Sequence, residues 1–200
     1  MSAFVSHPEL LFPAFWTKKG RTFPRSAAER LAHPAGRGGA GGALPAEALQ
    51  MIAAGLAQTS PGTDPVWTSG TRRRYTCLLA TDLYDAWLIE WSPSSHLELH
   101  DHGGSHGAVV VAAGTLVETY TDLQRRHPLS TRLVTAPQAF TVPATRVHEL
   151  ANPGPADARS LHVYSPPLRA MTFYDQDPGR FLSPLSTSQG NLAVLEEAAT

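Results

Sequence analysis

Cysteine is all but absent from this chain. Cys77 stands alone among 200 residues, which excludes an internal disulfide and a zinc cluster built on cysteines. Long apolar runs are missing as well, and with them any segment able to cross a bilayer as a helix. Met1–Trp16 has neither the basic start nor the apolar middle of a secretory signal, so a cytoplasmic location is expected. Charge of one sign is not in excess either: 16 Lys+Arg face 17 Asp+Glu, leaving no field to attract nucleic acid or an anionic membrane. No segment repeats at a fixed period. These absences leave one globular domain, long enough to bury a core and without nucleic acid or membrane as a partner.

What the chain holds instead is histidine, unevenly placed. The stretch His96–Gly107, HLELHDHGGSHG, carries four of the 9 histidines and lies between two runs of strand character. In a strand, residues i and i+2 share a face, so His100 and His102 are predicted to project together while Asp101 turns away. Two imidazoles side by side are half of a metal site, although such pairs also occur on surfaces that hold no metal. A third candidate comes from Pro143–Asn152, PATRVHELAN, where a proline-bounded turn delivers His148 to the start of a strand. His96 and His106 read as solvated or hydrogen-bonding loop residues. Glu98 and Glu149 lie near the candidate ligands, but strand alternation is expected to turn them aside, which disfavours a site of two histidines and a carboxylate.

The order of the chain gives a coarse architecture. Residues 1–65 read as a helical and irregular prefix packed on the main body. It has an apolar turn around Leu10–Trp16, a capping-box helix start at Ser26–Glu29 and a glycine-rich flexible loop at Pro34–Pro45. Pro45–Leu56 follows as a short amphipathic helix with Leu49, Ile52 and Leu56 at helical spacing, and a turn at Pro61–Pro65 closes the prefix. Residues 66–200 carry short strand candidates: Arg74–Ala80, Ala86–Trp91, Leu97–His100, Ala108–Ala112, Leu116–Tyr120, Arg132–Val134, Ala139–Val142, His148–Ala151, Ser160–Tyr164 and Met171–Tyr174. Many short strands broken by Gly and Pro predict an all-β sandwich or barrel, with Ala113–Gly114 as a tight turn. Trp67, Trp87, Trp91 and Phe140 are expected in its core.

His100 and His102 with Gly114, followed by Pro143, His148 and Asn152, resemble the paired motifs of the cupins. Two positions depart from the pattern, since the usual Glu of the first motif falls on Gly107 and the Gly of the second on Thr145. Arg74-Tyr75-Thr76, the HDHGGSHG run, His148 and Ser160–Pro167 (SLHVYSPP) together are similar to the cysteine dioxygenase family of thiol dioxygenases, over about half the chain. The resemblance implies an all-β cupin jelly-roll barrel behind a short helical prefix. It also implies a mononuclear Fe(II) held by His100, His102 and His148, and partners limited to a small thiol and O2, in a monomer or weak homo-oligomer. Ser160, His162 and Tyr164, alternating on one strand, would form a relay aiming the Tyr164 hydroxyl at the metal, with His162 held by Ser160. The tyrosine crosslink of animal members cannot form, because Gly107 replaces the cysteine.

The family's arginine for the substrate carboxylate falls on Cys77, a thiol that cannot make a bidentate bond. Arg72, Arg73, Arg74, Arg146 and Arg169 are the candidates to replace it, each also open to an exposed or structural role. Cys77 itself reads as a buried small hydrophobe rather than a nucleophile. The resulting expectation is a thiol dioxygenase that converts cysteine or 3-mercaptopropionate to a sulfinate. The alternatives are a three-histidine dioxygenase for another substrate and a non-catalytic metal-binding sensor.

Overall fold

The computed structural model describes residues 42–59, 72–124, 128–175 and 182–189. The expected features before residue 42, the turn at Pro61–Pro65, and Trp67 lie outside the described residues. Among the described residues, one helix, α1 (Ala46–Thr59), precedes eleven strands, all of them within one compact unit that begins at Ala43. The strands are β1 (Arg73–Ala80), β2 (Asp85–Trp91), β3 (His96–His100), β4 (His106–Ala113), β5 (Thr115–Asp122), β6 (Ser130–Thr135), β7 (Ala139–Val142), β8 (Arg146–Ala151), β9 (Ala158–Ser165), β10 (Ala170–Asp175) and β11 (Ser183–Gln189). The first ten coincide with the ten runs expected from sequence. Only β11 had no counterpart there, since Ser-Pro-Leu-Ser-Thr-Ser-Gln lacks the apolar alternation that marks a strand.

Every strand pairing among the described residues is antiparallel. One sheet has the order β1-β2-β9-β4-β7 and the other β11-β10-β3-β8-β5-β6, the all-β jelly roll expected from sequence. The connection at Gly114 is as tight as predicted: its φ is +72°, and a Cβ there would lie 2.9 Å from the Ala158 side chain.

Alternation divides the five-stranded sheet into an outer and an inner face. Ala86, Ala108, Val110 and Val163 face outward and are covered by α1, whose Leu49 and Ala53 are fully buried against them. Burial of Leu49 alone contributes about 2 kcal/mol. Ile52 and Leu56, expected on the packed face of the helix, join this cluster part-buried. Pro45 begins the helix by accepting from the Ala48 and Leu49 amides with its carbonyl. The inner face carries the next residues along: Trp87 opposite His162 on β9, then Val109 beyond it on β4. Trp87, Trp91 and Phe140 are buried as expected.

Candidate metal centre

The HxH pair does not sit on one strand. His100 ends β3, while His102 lies in the turn that leads to β4. Asp101 fixes that turn. Its Oδ1 accepts from the Gly103 amide at 2.9 Å and the Thr172 amide at 3.2 Å, and its Oδ2 accepts from the Tyr174 hydroxyl at 2.6 Å. Asp101 therefore points away from its neighbours, as alternation predicts, but as the anchor of the turn on β10.

A bulge aims His100. The register of β3 against β8 runs from Leu97↔Leu150 to His100↔His148, so β3 spends one more residue than its partner over this interval. The extra residue brings His100 opposite His148. His100 Nδ1 donates to the carbonyl of Glu98 at 2.7 Å, which fixes the tautomer and leaves the Nε2 lone pair free. The bulge also shows why simple alternation could not settle where Glu98 points. Its carboxylate lies 3.8 Å from His96 Nε2 and stands outside the histidine cluster.

The three candidate histidines meet. Ligand-capable nitrogens of His100, His102 and His148 lie within 4.8 Å of one another, and all three side chains are buried. His148 Nδ1 donates to Glu118 Oε1 at 2.9 Å; among the described residues its Nε2 has no hydrogen-bond partner, and neither has either ring nitrogen of His102. Burial pushes His100 down to about 4 and holds His102 and His148 well below the ordinary imidazole value, the neighbouring histidines adding to the effect at these last two. The cluster is thus neutral near pH 7. Buried imidazole nitrogens with no hydrogen bond are costly unless something else occupies their lone pairs, and a metal ion does so. Nitrogen donors of this kind suit iron among other transition metals, so the residues fit the ion implied by the sequence.

Behind His148 stands Glu118, fully buried on β5. Arg132 Nε donates to it at 2.6 Å and Arg146 Nη1 lies 3.4 Å away. Burial pushes the Glu118 carboxyl up, while the two arginines pull it down. Both guanidinium groups also cover the Tyr120 ring, at 5.1 and 4.2 Å from its centroid. Sequence reasoning missed Glu118. The available signal was an acid placed between Leu116 and Tyr120, on the side of β5 that alternation turns inward.

On the opposite sheet, Ser160, His162 and Tyr164 form a continuous chain. Ser160 Oγ and His162 Nε2 are 2.8 Å apart, and His162 Nδ1 and the Tyr164 hydroxyl are 3.0 Å apart. Trp91 Nε1 donates to Ser160 Oγ at 2.9 Å, a fourth member that sequence reasoning assigned to the core alone. Burial lowers His162 to about 3 and raises the Tyr164 hydroxyl well above its ordinary value. The Tyr164 ring lies 4.7 Å from that of His102, bringing the end of the chain to the histidine cluster. Gly107 makes this possible: a Cβ there would sit 2.7 Å from Tyr164 Cδ1 and 2.8 Å from the Val163 carbonyl.

The remaining expectations resolve individually. His106 is a strand residue, with its Nε2 at 2.6 Å from the Leu44 carbonyl just ahead of α1. His96 is also on a strand, so neither histidine belongs to a loop. Asn152 ties β8 to its surroundings through the carbonyls of Trp91, Ser92 and Ala156. Cys77 is half-buried rather than buried, because β1 is an edge strand of its sheet, and its Sγ lies 3.5 Å from the Leu79 carbonyl.

A family model described as cysteine dioxygenase type I matches residues 69–177. Among solved structures, TT1209 from Thermus thermophilus is 18% identical with a TM-score of 0.44, covering 51% of this chain and 90% of that one. An oxalate oxidase in complex with the substrate analogue glycolate is 17% identical with a TM-score of 0.43, over 54% of this chain and 59% of its own. A protein with a double-stranded β-helix domain from Klebsiella pneumoniae is 18% identical with a TM-score of 0.41, over 50% and 83%. No helix among the described residues is long and apolar enough to cross a membrane.

Proposed function

This chain belongs to the cysteine dioxygenase type I family, and from that premise we propose that it is a mononuclear iron(II) thiol dioxygenase acting on a small aliphatic thiol. The observation that carries the proposal is the convergence of three buried neutral imidazoles with a hydrogen-bonded chain ending in a tyrosine hydroxyl. His100, His102 and His148 would hold the metal, and among the described residues no carboxylate belongs to the group. With neutral ligands, the full double charge of iron(II) remains to favour a substrate bound as thiolate. When bound, the iron supplies the redox step in which both atoms of O2 pass to the thiol sulfur, giving a sulfinate with no external reductant.

The chain's own residues orient the reaction. Trp91 Nε1 can only donate, and His162 is neutral with a single ring proton. If Ser160 donates to His162 Nε2, the His162 Nδ1 proton goes to the Tyr164 oxygen, and the Tyr164 proton points on into the site. Burial keeps that phenol protonated, so it serves as a fixed donor to the substrate or to oxygen rather than as a base. Ser160 and Trp91 act through His162 and are positioning residues.

The test is oxygen uptake by iron-loaded protein against a panel of small thiols, with mass spectrometry of the product and a His148→Ala control. Sulfinate carrying two oxygens from O2, absent in the control, is expected. No uptake with any thiol, at one bound iron per chain, overturns the reading.

A further inference from the structure

A thiol that binds as thiolate leaves a proton to be placed, and the groups that orient the reaction have no room for it. His100, His102 and His148 give their free lone pairs to the metal. His162 is neutral with both ring nitrogens engaged, and burial keeps the Tyr164 phenol protonated. Among the described residues three carboxyl groups are buried: Asp85, Glu90 and Glu118. Glu118 is held by His148 and two arginines, and Glu90 accepts from Arg74 Nε at 2.6 Å. Asp85 is different. It is only 4% exposed, the Leu168 amide donates to its Oδ2 at 3.0 Å, and its Oδ1 is buried with no hydrogen-bond partner.

Its position gives the free oxygen a meaning. Asp85 begins β2 directly opposite Tyr164 on β9, and Trp87, two residues on, stands opposite His162. Both side chains therefore belong to the inner face that carries the relay. Side chains opposed in this way start about 5 Å apart, and the Tyr164 ring lies 4.7 Å from that of His102. One tyrosine ring thus links the carboxyl to the histidine cluster. The groups that face Asp85 are the Tyr164 phenol across the strand, Trp87 Nε1, which turns toward it without closing a hydrogen bond, and the exposed Arg169 beyond Leu168. Against the pull of Trp87, Leu168 and Arg169, burial raises the carboxyl to about 6. It is ionised at neutral pH, and gaining a proton relieves the cost of a buried charge.

We propose that Asp85 is the proton acceptor for the substrate thiol. The S–H bond breaks, the electron pair stays on sulfur as thiolate, and an O–H bond forms at Asp85 Oδ1, directly or through one buried water. Nothing is oxidised or reduced in this step. The proton remains inside the site, where it offsets the negative charge that the thiolate brings, and the neutral chain from Trp91 to Tyr164 changes none of its protons. This inference rests on the thiol reading for its ligand, but its test has a readout apart from turnover.

Cobalt(II)-loaded protein is titrated with 3-mercaptopropionate from about pH 7 to 8, following thiolate-to-metal absorption. If the thiol proton leaves to solvent, affinity rises about tenfold per pH unit; if the protein keeps it, affinity hardly changes with pH. The wild type is expected to give the nearly flat profile. Asp85→Asn, which keeps an oxygen for the Leu168 amide, is expected to give the tenfold slope. A residue that only ties down Leu168 would change the affinity and not the slope. A tenfold slope in the wild type, or the same slope in both proteins, overturns the assignment. Infrared difference spectra of the wild type are expected to show a new carboxylic acid band on thiol binding, which decides the matter if the Asn variant takes up no cobalt; the lack of such a band overturns it. No thiolate absorption at any pH overturns both the thiol reading and the acceptor. If the iron-loaded wild type consumes no oxygen while the flat profile still depends on Asp85, the dioxygenase reading fails and the proton acceptor stands.

Discussion

On the six-stranded sheet the candidate centre is supported by charge that runs outward: His148 to Glu118, then to Arg132 and to Arg146, whose side chain is 17% exposed. On the five-stranded sheet the support is neutral at every link, from Trp91 through Ser160 and His162 to Tyr164, and the outer face of that sheet is closed by α1. The two designs do different work. An ionised partner raises the basicity of a ligand imidazole and fixes its tautomer, which matters for holding a metal. A neutral chain holds one proton in one place over a wide pH range, which matters for presenting a hydroxyl. The comparison therefore assigns metal affinity to one sheet and turnover to the other, and variants can separate them.

Tyr164→Phe should give the largest separation beyond loss of a ligand histidine. The ring is kept against Gly107 and His102 and only the donor is lost, so metal content is expected to stay at the wild-type level. Turnover is expected to fall on the order of 10²- to 10⁴-fold, the range for loss of a positioned proton donor. Parallel metal analysis and oxygen uptake check this. A variant that loses metal as well would erase the division between the sheets. Glu118→Gln tests the other half: metal affinity is expected to drop about 10- to 100-fold, as for other carboxylates behind a ligand histidine. A competition titration with a chelator measures it, and an unchanged affinity would show that Glu118 serves only the fold.

The pH dependence of the metal-free protein sharpens the same contrast. His100 and His162 are lowered to about 4 and about 3, and His102 and His148 also lie well below the ordinary value. For a base with a depressed folded pKa, the unfolded chain binds more protons between the two values. Stability from these groups is therefore present above about pH 6.5 and is lost as pH falls toward 4, the unfolded imidazole value setting the upper edge. Asp85 works against this. Burial raises it to about 6, so its contribution is lost as pH rises through that value. Glu118 and Glu149, which burial also raises, act in the same direction as Asp85. The four buried imidazoles are expected to outweigh these three acids, so that the melting temperature of metal-free protein is lower at pH 5 than at pH 7. A flat or opposite profile would mean that the cluster is not held neutral in the folded state.

Much of this was legible in the sequence because it depended on local pattern. Strand alternation in β9 puts Ser160, His162 and Tyr164 on one face, and the structure joins them in that order. The three-histidine cluster was legible too, but for an incomplete reason: a bulge in β3 and an aspartate-anchored turn, rather than one regular strand, bring His100 and His102 together. Bulges depend on the partner strand, so one strand's sequence does not reveal them. Glu118 and Trp91 were harder still. Each owes its place to what lies across the barrel or beside it in the sheet, and an acid or an aromatic in a strand has several ordinary uses.

The smallest change tests the seam between the two supports. Gly107→Ala adds one methyl group 2.7 Å from Tyr164 Cδ1 and 2.8 Å from the Val163 carbonyl, so the ring or the strand must give way. The carbonyl belongs to the ladder that pairs β4 with β9 and moves less readily than the ring. Overpacking of this kind is expected to cost about 1–3 kcal/mol, read as a shift in the denaturant midpoint. A displaced ring carries its hydroxyl away from His162 Nδ1, so turnover should fall while metal affinity, set by the other sheet, stays the same. Loss of both in equal measure would mean that Tyr164 and the ligand histidines respond as one packed unit, and that the two sheets do not divide the labour.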